Sequence, residues 1–326
     1  MRKKVLTQTR QELMKQQVLK CPNKDATGLH DFQKLPDEQG VKIPYVGISR
    51  FRLPMKFQHD FGEMTHDVEA STSVELKEGK TGINMSRLCQ VLQETAYEDL
   101  VSTDMIKKIL QRLIDELRDS KDENLIDRAT IKLKFKFPVK QKSLKSGHWG
   151  WQYYDAYISG EWTKEEDFKI CLSMDYEYSS TCPCSLSMAK QYEADYEKGL
   201  TDEGNGIGVA HGQRSRARVL VALSPTGIQS HFFLEDLLQV LKLAIPTETQ
   251  SLVKRIDEQA FAILNGSNPM FVEHVAKKLW HGLNDCSFLD DWIAQIEHFE
   301  SLHSHNAAAV IHKGKLNGFS KTDLFS

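Results

Sequence analysis

The chain has 326 residues, with 42 basic and 45 acidic side chains and a net charge of -3. That length suffices for one large domain or two fused modules, and so even a charge balance excludes a bulk nucleic-acid binder or a membrane-surface protein. No apolar run approaches the ~20 residues of a membrane helix, and no apolar stretch follows the basic start at Met1 to Lys4, so the sequence reads as cytoplasmic.

Residues 1–42 are polar and read as a loosely ordered arm with a short helix near Gln8 to Leu19. From Gly47 to Phe57, and again from Val68 to Leu76, apolar and polar residues alternate as in half-buried strands. A helix follows with Asn84 or Ser86 as its cap, carrying Leu88, Val91, Leu92 and Ala96 at helical spacing. A second helix is predicted from Thr103 to Arg118, its apolar stripe running from Met105 to Leu117. Ala129 to Val139 alternates strictly, with Ile131, Leu133, Phe135 and Phe137 on one face and lysines on the other, and Trp149 to Ile158 is its aromatic-rich partner.

The second half repeats this order. Strands are predicted over Lys169 to Tyr178 and Ser215 to Leu223, and helices over Leu234–Ala244, Thr247–Asn265 and Pro269–Gly282. A closing strand lies at Asp290–His298, with extended chain at Ala307–His312. Strands, then helices, then strands, twice over, give an α+β fold of antiparallel sheet with helices on one face. Met188 to Ile207, rich in Glu, Asp, Tyr and Gly, reads as an exposed, partly helical excursion that covers a site.

Six cysteines do not form a disulfide framework, and in a reducing compartment Cys182 and Cys184 become candidates for metal binding or catalysis. Pro183 fixes the chain between the two thiols, and Ser and Thr flank them; the same residues also suit a tight turn of small side chains. His211, between Ala210 and Gly212, has room for a ligand, and neutral imidazole serves as a metal ligand or a proton shuttle. Arg214, Arg216 and Arg218 alternate along a strand, so they share one face, either phosphate-binding or solvated. Glu258 sits within a predicted helix, and Glu300 to His305 places a carboxylate and two imidazoles within six residues.

Taken together, Val46-Gly-Ile-Ser49, Ser179-Ser-Thr-Cys-Pro-Cys-Ser185, Ala210-His-Gly-Gln-Arg-Ser215, Lys254-Arg-Ile-Asp-Glu258, Asn268-Pro-Met-Phe-Val-Glu273 and Glu300-Ser-Leu-His-Ser-His305 resemble the type IB GTP cyclohydrolases over Val46 to Ala309. The resemblance implies the tunnelling fold with two modules in one chain. The boundaries are then an arm at 1–42, modules at 43–165 and 166–312 with the metal site in the second, and a tail at 313–326. It implies a homo-oligomer, a tetramer with active sites at subunit interfaces, and conversion of GTP and water to 7,8-dihydroneopterin triphosphate and formate in tetrahydrofolate synthesis. By the same resemblance a zinc, manganese or iron ion is held by Cys182, His211, Glu258 and Glu300, with Cys184 as the alternative thiol. Glu273 matches the carboxylate that grips guanine, and His303 an acid–base residue, with Cys182 and His211 also in the catalytic set. Gln213, Arg214 and Arg87 are expected at the substrate. The sequence departs from the family at Asn84, where a histidine is common, and in the length of 188–207. A cyclic-phosphate-forming relative and a non-catalytic purine- or pterin-binding module are the competing readings; the complete ligand set favours the hydrolase.

Overall fold

In the computed structural model, the described residues are 28, 37, 39–117, 126–165 and 168–314. The helix expected near Gln8 to Leu19 and most of both termini lie outside them. Eight strands form one sheet in chain order: β1 (Ile43–His59), β2 (Gly62–Leu76), β3 (Arg128–Lys142), β4 (Trp149–Thr163), β5 (Lys169–Thr181), β6 (Gly212–Leu223), β7 (Leu289–His298) and β8 (Ala307–His312). Every neighbouring pair is antiparallel. The described helices are α1 (Met85–Glu98), α2 (Thr103–Glu116), α3 (Pro183–Glu197), α4 (Pro225–Gln229), α5 (Leu234–Ala244), α6 (Arg255–Ser267) and α7 (Val272–Asn284). The order strand, strand, helices, strand, strand therefore occurs twice, with α3 inserted between β5 and β6 in the second half, and the α+β expectation holds.

Strand periodicity sets where the core lies. Ile131 faces Gly160, Leu133 faces Ile158, Leu172 faces Val221, and Val219 faces Ala294 across the sheet, and all eight are buried. Because the side-chain period is two, this register sends one apolar set to the helix-covered face and leaves Lys132, Lys134, Asp155, Asp175, Arg216 and Arg218 on the other. Gly160 is required by α2: a Cβ there would lie 2.3 Å from Ile106 Cγ2 and 3.0 Å from Leu110 Cδ1. In α2 the hydroxyl of Ser102 accepts from the Met105 N–H at 3.1 Å, an N-cap that fixes the helix start. Asn84, one of the two residues expected to cap α1, makes no side-chain cap bond.

Two expectations are corrected. The helix expected over Thr247–Asn265 begins only at Arg255. Pairing of β4 with β5 runs from Glu161–Lys169 to Ala156–Met174, and beyond it residues 247–249 lie along β5 instead. Ser179 N–H donates to Thr247 C=O at 2.8 Å, and Thr249 N–H to Glu177 C=O at 3.3 Å. Backbone groups of β5 freed by β4 thus hold this segment extended, against its helical pattern. The Cys-Pro-Cys segment, expected as a turn, opens α3, with Pro183 at the first helical position, where its missing N–H costs nothing. That helix takes up the first half of the expected excursion. The remainder folds back on it: Gly206 N–H donates to the Tyr192 hydroxyl at 3.0 Å and Gly208 N–H to Glu193 Oε1 at 3.3 Å. Among the described residues no helix is long and apolar enough to cross a membrane.

Candidate metal centre and active site

Antiparallel pairing brings the Cys and His segments to one end of the sheet. Thr181, the last residue of β5, faces Gly212, the first of β6. Cys182 and His211 therefore follow and precede paired positions, and Cys182 N–H donates to His211 C=O at 3.2 Å. The Ser185 hydroxyl accepts from the His211 N–H at 3.1 Å and ties α3 to the same point. Cys182 is the N-cap of α3 and its side chain makes no cap hydrogen bond; it is half-buried, whereas Cys184 is exposed.

Glu300 reaches this end from β7. Ser215 pairs with His298, Phe299 N–H donates to Arg214 C=O at 3.2 Å, and Glu300 N–H donates to His298 C=O at 2.9 Å. Oε2 of Glu300 lies 3.9 Å from His211 Nδ1, with side-chain exposures of 13% and 19%. That oxygen is buried without a hydrogen-bond partner. A buried, unpaired carboxylate oxygen is costly, and a cation beside it removes the cost. Thiolate, imidazole and carboxylate together suit a borderline divalent ion. Cys182, His211 and Glu300 thus fit a metal by chemistry, although among the described residues no three His, Cys, Asp or Glu side chains already converge on one point.

The remaining expected residues are distributed as follows. Glu258 is exposed in the first turn of α6, an element apart from the Cys182–His211–Glu300 group. Its neighbour Asp257 is fully buried. The Asp257 carboxylate accepts from the N–H groups of Lys145, Ser146 and Lys254 at 2.7–2.8 Å and from the Ser146 hydroxyl at 2.5 Å. These bonds hold its pKa well below the usual carboxylate range against the opposing effect of burial. Asp257 thereby anchors the start of α6 to the turn between β3 and β4. Glu273 is exposed in the first turn of α7, near His298. His303 is exposed, its ring stacked on that of His305. Arg214 is exposed and lies 3.8 Å from Glu177, whereas Arg216 and Arg218 are paired with Asp175. Arg87 Nη1 donates to Glu116 C=O at 2.8 Å, at the end of α2 in the other half of the chain.

The structure adds residues that the sequence did not single out. His298 is buried, its Nε2 is 2.9 Å from the Tyr178 hydroxyl, and burial pushes its pKa down to about 4 despite the opposing charge of Glu273. Ser180 and Ser215 are fully buried and bond each other at 2.8 Å beneath Gln213. The only sequence signal for them is their place within motifs already noted.

A family model described as type I GTP cyclohydrolase folE2 matches residues 29–309. Among similar proteins is GTP cyclohydrolase FolE2 of Ruegeria sp. (strain TM1040), 38% identical over 305 residues, covering 91% of this chain and 78% of that one. GTP cyclohydrolase FolE2 of Dinoroseobacter shibae is 39% identical over 294 residues, covering 88% and 74%. Among solved structures, uricase from Arthrobacter globiformis superposes with a TM-score of 0.49 at 8% identity, covering 85% of this chain and 96% of that one. On the family match and these identities, the chain belongs to the type I GTP cyclohydrolase FolE2 family.

Proposed function

We propose that this chain is a cytoplasmic, metal-dependent GTP cyclohydrolase that converts GTP and water to 7,8-dihydroneopterin triphosphate and formate, the first step of tetrahydrofolate synthesis. The observation that carries the reading is the grouping of Cys182, His211 and Glu300 at one end of the sheet, with a buried Glu300 oxygen lacking a protein partner.

Cys182, His211 and Glu300, joined by Glu258, would hold a zinc, manganese or iron ion, with Cys184 the alternative thiol. Such an ion would supply Lewis acidity that brings the pKa of a water molecule toward neutrality, the chemistry that hydrolysis at guanine C8 needs. The Glu273 carboxylate accepts the paired N–H groups of guanine N1 and N2, a pattern that adenine does not offer. His298, uncharged at neutral pH, leaves that carboxylate without a salt-bridge partner at its side. His303, on the exposed 301–306 segment, protonates the ring nitrogen as the imidazole opens. Arg214 meets the triphosphate, for which its loose 3.8 Å pairing with Glu177 leaves it available.

Glu258, exposed on α6, and Arg87, bonded to the end of α2 in the other half of the chain, complete the site within a homotetramer in the tunnelling-fold arrangement, Arg87 coming from a neighbouring copy. Exposed Ile256 and Ile263 on the same helix as Glu258 support a covered surface there, as do β1 and β8, the two outer strands of the sheet. The repeated element order supports two fused modules, 43–165 and 166–312. Incubating the purified protein with GTP and Mn²⁺ or Zn²⁺ tests the reading: formate and, after oxidation, pterin fluorescence are expected, and absence of both with every metal overturns it.

A further inference from the structure

The motif Val46-Gly-Ile-Ser49 has no part in the metal centre, yet its backbone is irregular. Ile48 faces Thr72 and Phe51 faces Ala70, so Ser49 and Arg50 together oppose Ser71 in a β-bulge. Arg50 has a φ of 58°, left-handed backbone that a residue other than glycine rarely adopts. Its N–H donates to the Ser71 hydroxyl at 3.4 Å. Gly47 cannot carry a side chain, because a Cβ there would lie 1.9 Å from the Thr72 C=O oxygen. The extra residue keeps the core in phase: Ile48 before the bulge and Phe51 after it both pack on the core. Backbone of this kind persists only where its surroundings over-determine it, and binding sites are such places.

Beside the bulge lies a cavity of about 550 Å³, within the range of small-molecule sites. Ser49, Ser71, Thr130 and Ser159, short hydroxyl side chains from four successive strands, line it, and all but Ser49 are half-buried. Ser73 and Thr130 share a 2.6 Å hydrogen bond between their hydroxyls, which leaves one of the two protons to be donated elsewhere. Lys132 and Lys169 bring positive charge to the same cavity. The Lys132 ammonium stands 3.9 Å from the centroid of the Tyr157 ring, which fixes where that charge sits. Lys169 acts on the Cys171 thiol in the wall, opposing the burial that pushes that thiol up to about 11. Glu161, the one carboxylate among the described lining residues, is 3.0 Å from Arg128 Nε, so its charge is answered from outside. Cys171 precedes Cys182 by eleven positions along β5, which sets the cavity roughly 35 Å from the metal end of the same chain.

We propose that this cavity is a second small-molecule site, one that binds a phosphorylated sugar. Lys132 and Lys169 meet the phosphate, and the serine and threonine hydroxyls meet the hydroxyls of the sugar. Ammonium groups suit a phosphate. Protein hydroxyls both donate and accept, as sugar hydroxyls do, so the two sets match without a buried group left unpaired. The site is independent of the metal centre and stands whether or not the reading of that centre does.

Isothermal titration of the purified full chain with ribose 5-phosphate and glucose 6-phosphate tests the proposal. Saturable binding of at least one is expected, weakened by added salt, with inorganic phosphate and the plain sugar each about 10-fold or more weaker. Lys132→Met should lower the affinity about 10- to 100-fold, the range for a lost hydrogen bond to a charged group. Ser159→Val removes a hydroxyl and adds a methyl group to the cavity, on a strand that suits a β-branched residue, and should lower it about 3- to 10-fold. Urea midpoints close to that of the parent show that both variants fold. Arg214→Ala, a change at the GTP site, should leave sugar-phosphate binding unaltered. The proposal is overturned if neither sugar phosphate binds saturably, or if inorganic phosphate binds as tightly. Binding that is lost in Arg214→Ala and kept in both cavity variants also overturns it, because the sugar phosphate then occupies the GTP site.

Discussion

Acidification separates the folded chain from the unfolded one at two buried histidines. His66, 2.8 Å from His59 by their Nε2 atoms, and His298, against the Tyr178 hydroxyl, are each held at about 4, in both cases chiefly by burial, against 6.5 for an unhindered imidazole. The charged and titratable groups around them are His59 and Glu235 for the first, and Tyr178 and Glu273 for the second. Because the folded values are depressed, the unfolded chain takes up the protons first. Stability is therefore complete above about pH 6.5, falls as pH drops toward 4, and levels off below that, as far as these two rings are concerned. At about pH 5, mid-window, linkage gives a loss of about 2 kcal/mol for each ring. Two rings together would remove about 4 kcal/mol, a large share of the 5–15 kcal/mol typical of a domain. Urea unfolding at fixed protein concentration, repeated between pH 7 and 4.5, measures this, and His298→Gln should remove about half of the slope while keeping a polar partner for Tyr178. A stability that is flat over this window, or a slope unchanged in both His298→Gln and His66→Gln, refutes the reasoning.

Three further outcomes follow from the geometry. Cys182→Ala should abolish metal retention and turnover, whereas Cys184→Ala, whose thiol is exposed, should retain most of both; the reverse order would move the ligand to Cys184. Asp257→Ala should raise hydrogen exchange at residues 143–148 and 254–260 together, since one carboxylate holds both segments, and unchanged exchange would remove its anchoring role. Gly160→Ala drives a Cβ to 2.3 Å from Ile106 Cγ2 and should cost about 1–3 kcal/mol by overpacking, measured by urea denaturation; adding Ile106→Val should recover part of it.

Where side-chain burial follows a simple period, the fold was legible in the sequence. Ile131, Leu133, Phe135 and Phe137 fall on one face of β3 as their alternation requires, and the stripe of α2 is buried from Met105 to Ile114. The start of α3 at Pro183 is not legible in the sequence, because the helix buries no residue and so carries no apolar stripe. Thr247 to Gln250 was read as helix because its place beside β5 depends on where β4 stops pairing, a fact about distant strands. The site divides in the same way. Cys182, His211 and Glu300 were visible as residue types in motifs, and strand pairing brings their segments together. The engagement of Gln213 with Ser180, 33 positions earlier, and the anchoring of Asp257 by Ser146 arise only once the chain is folded.

The central claim is hydrolytic opening of guanine at C8, and GTP carrying a carbon label at that position tests it most directly. With metal present, the account predicts that the label leaves as formate in step with the fluorescent pterin, and that Cys182→Ala and His211→Ala abolish both. Label retained in the nucleotide, or phosphate released with the purine ring intact, would contradict it.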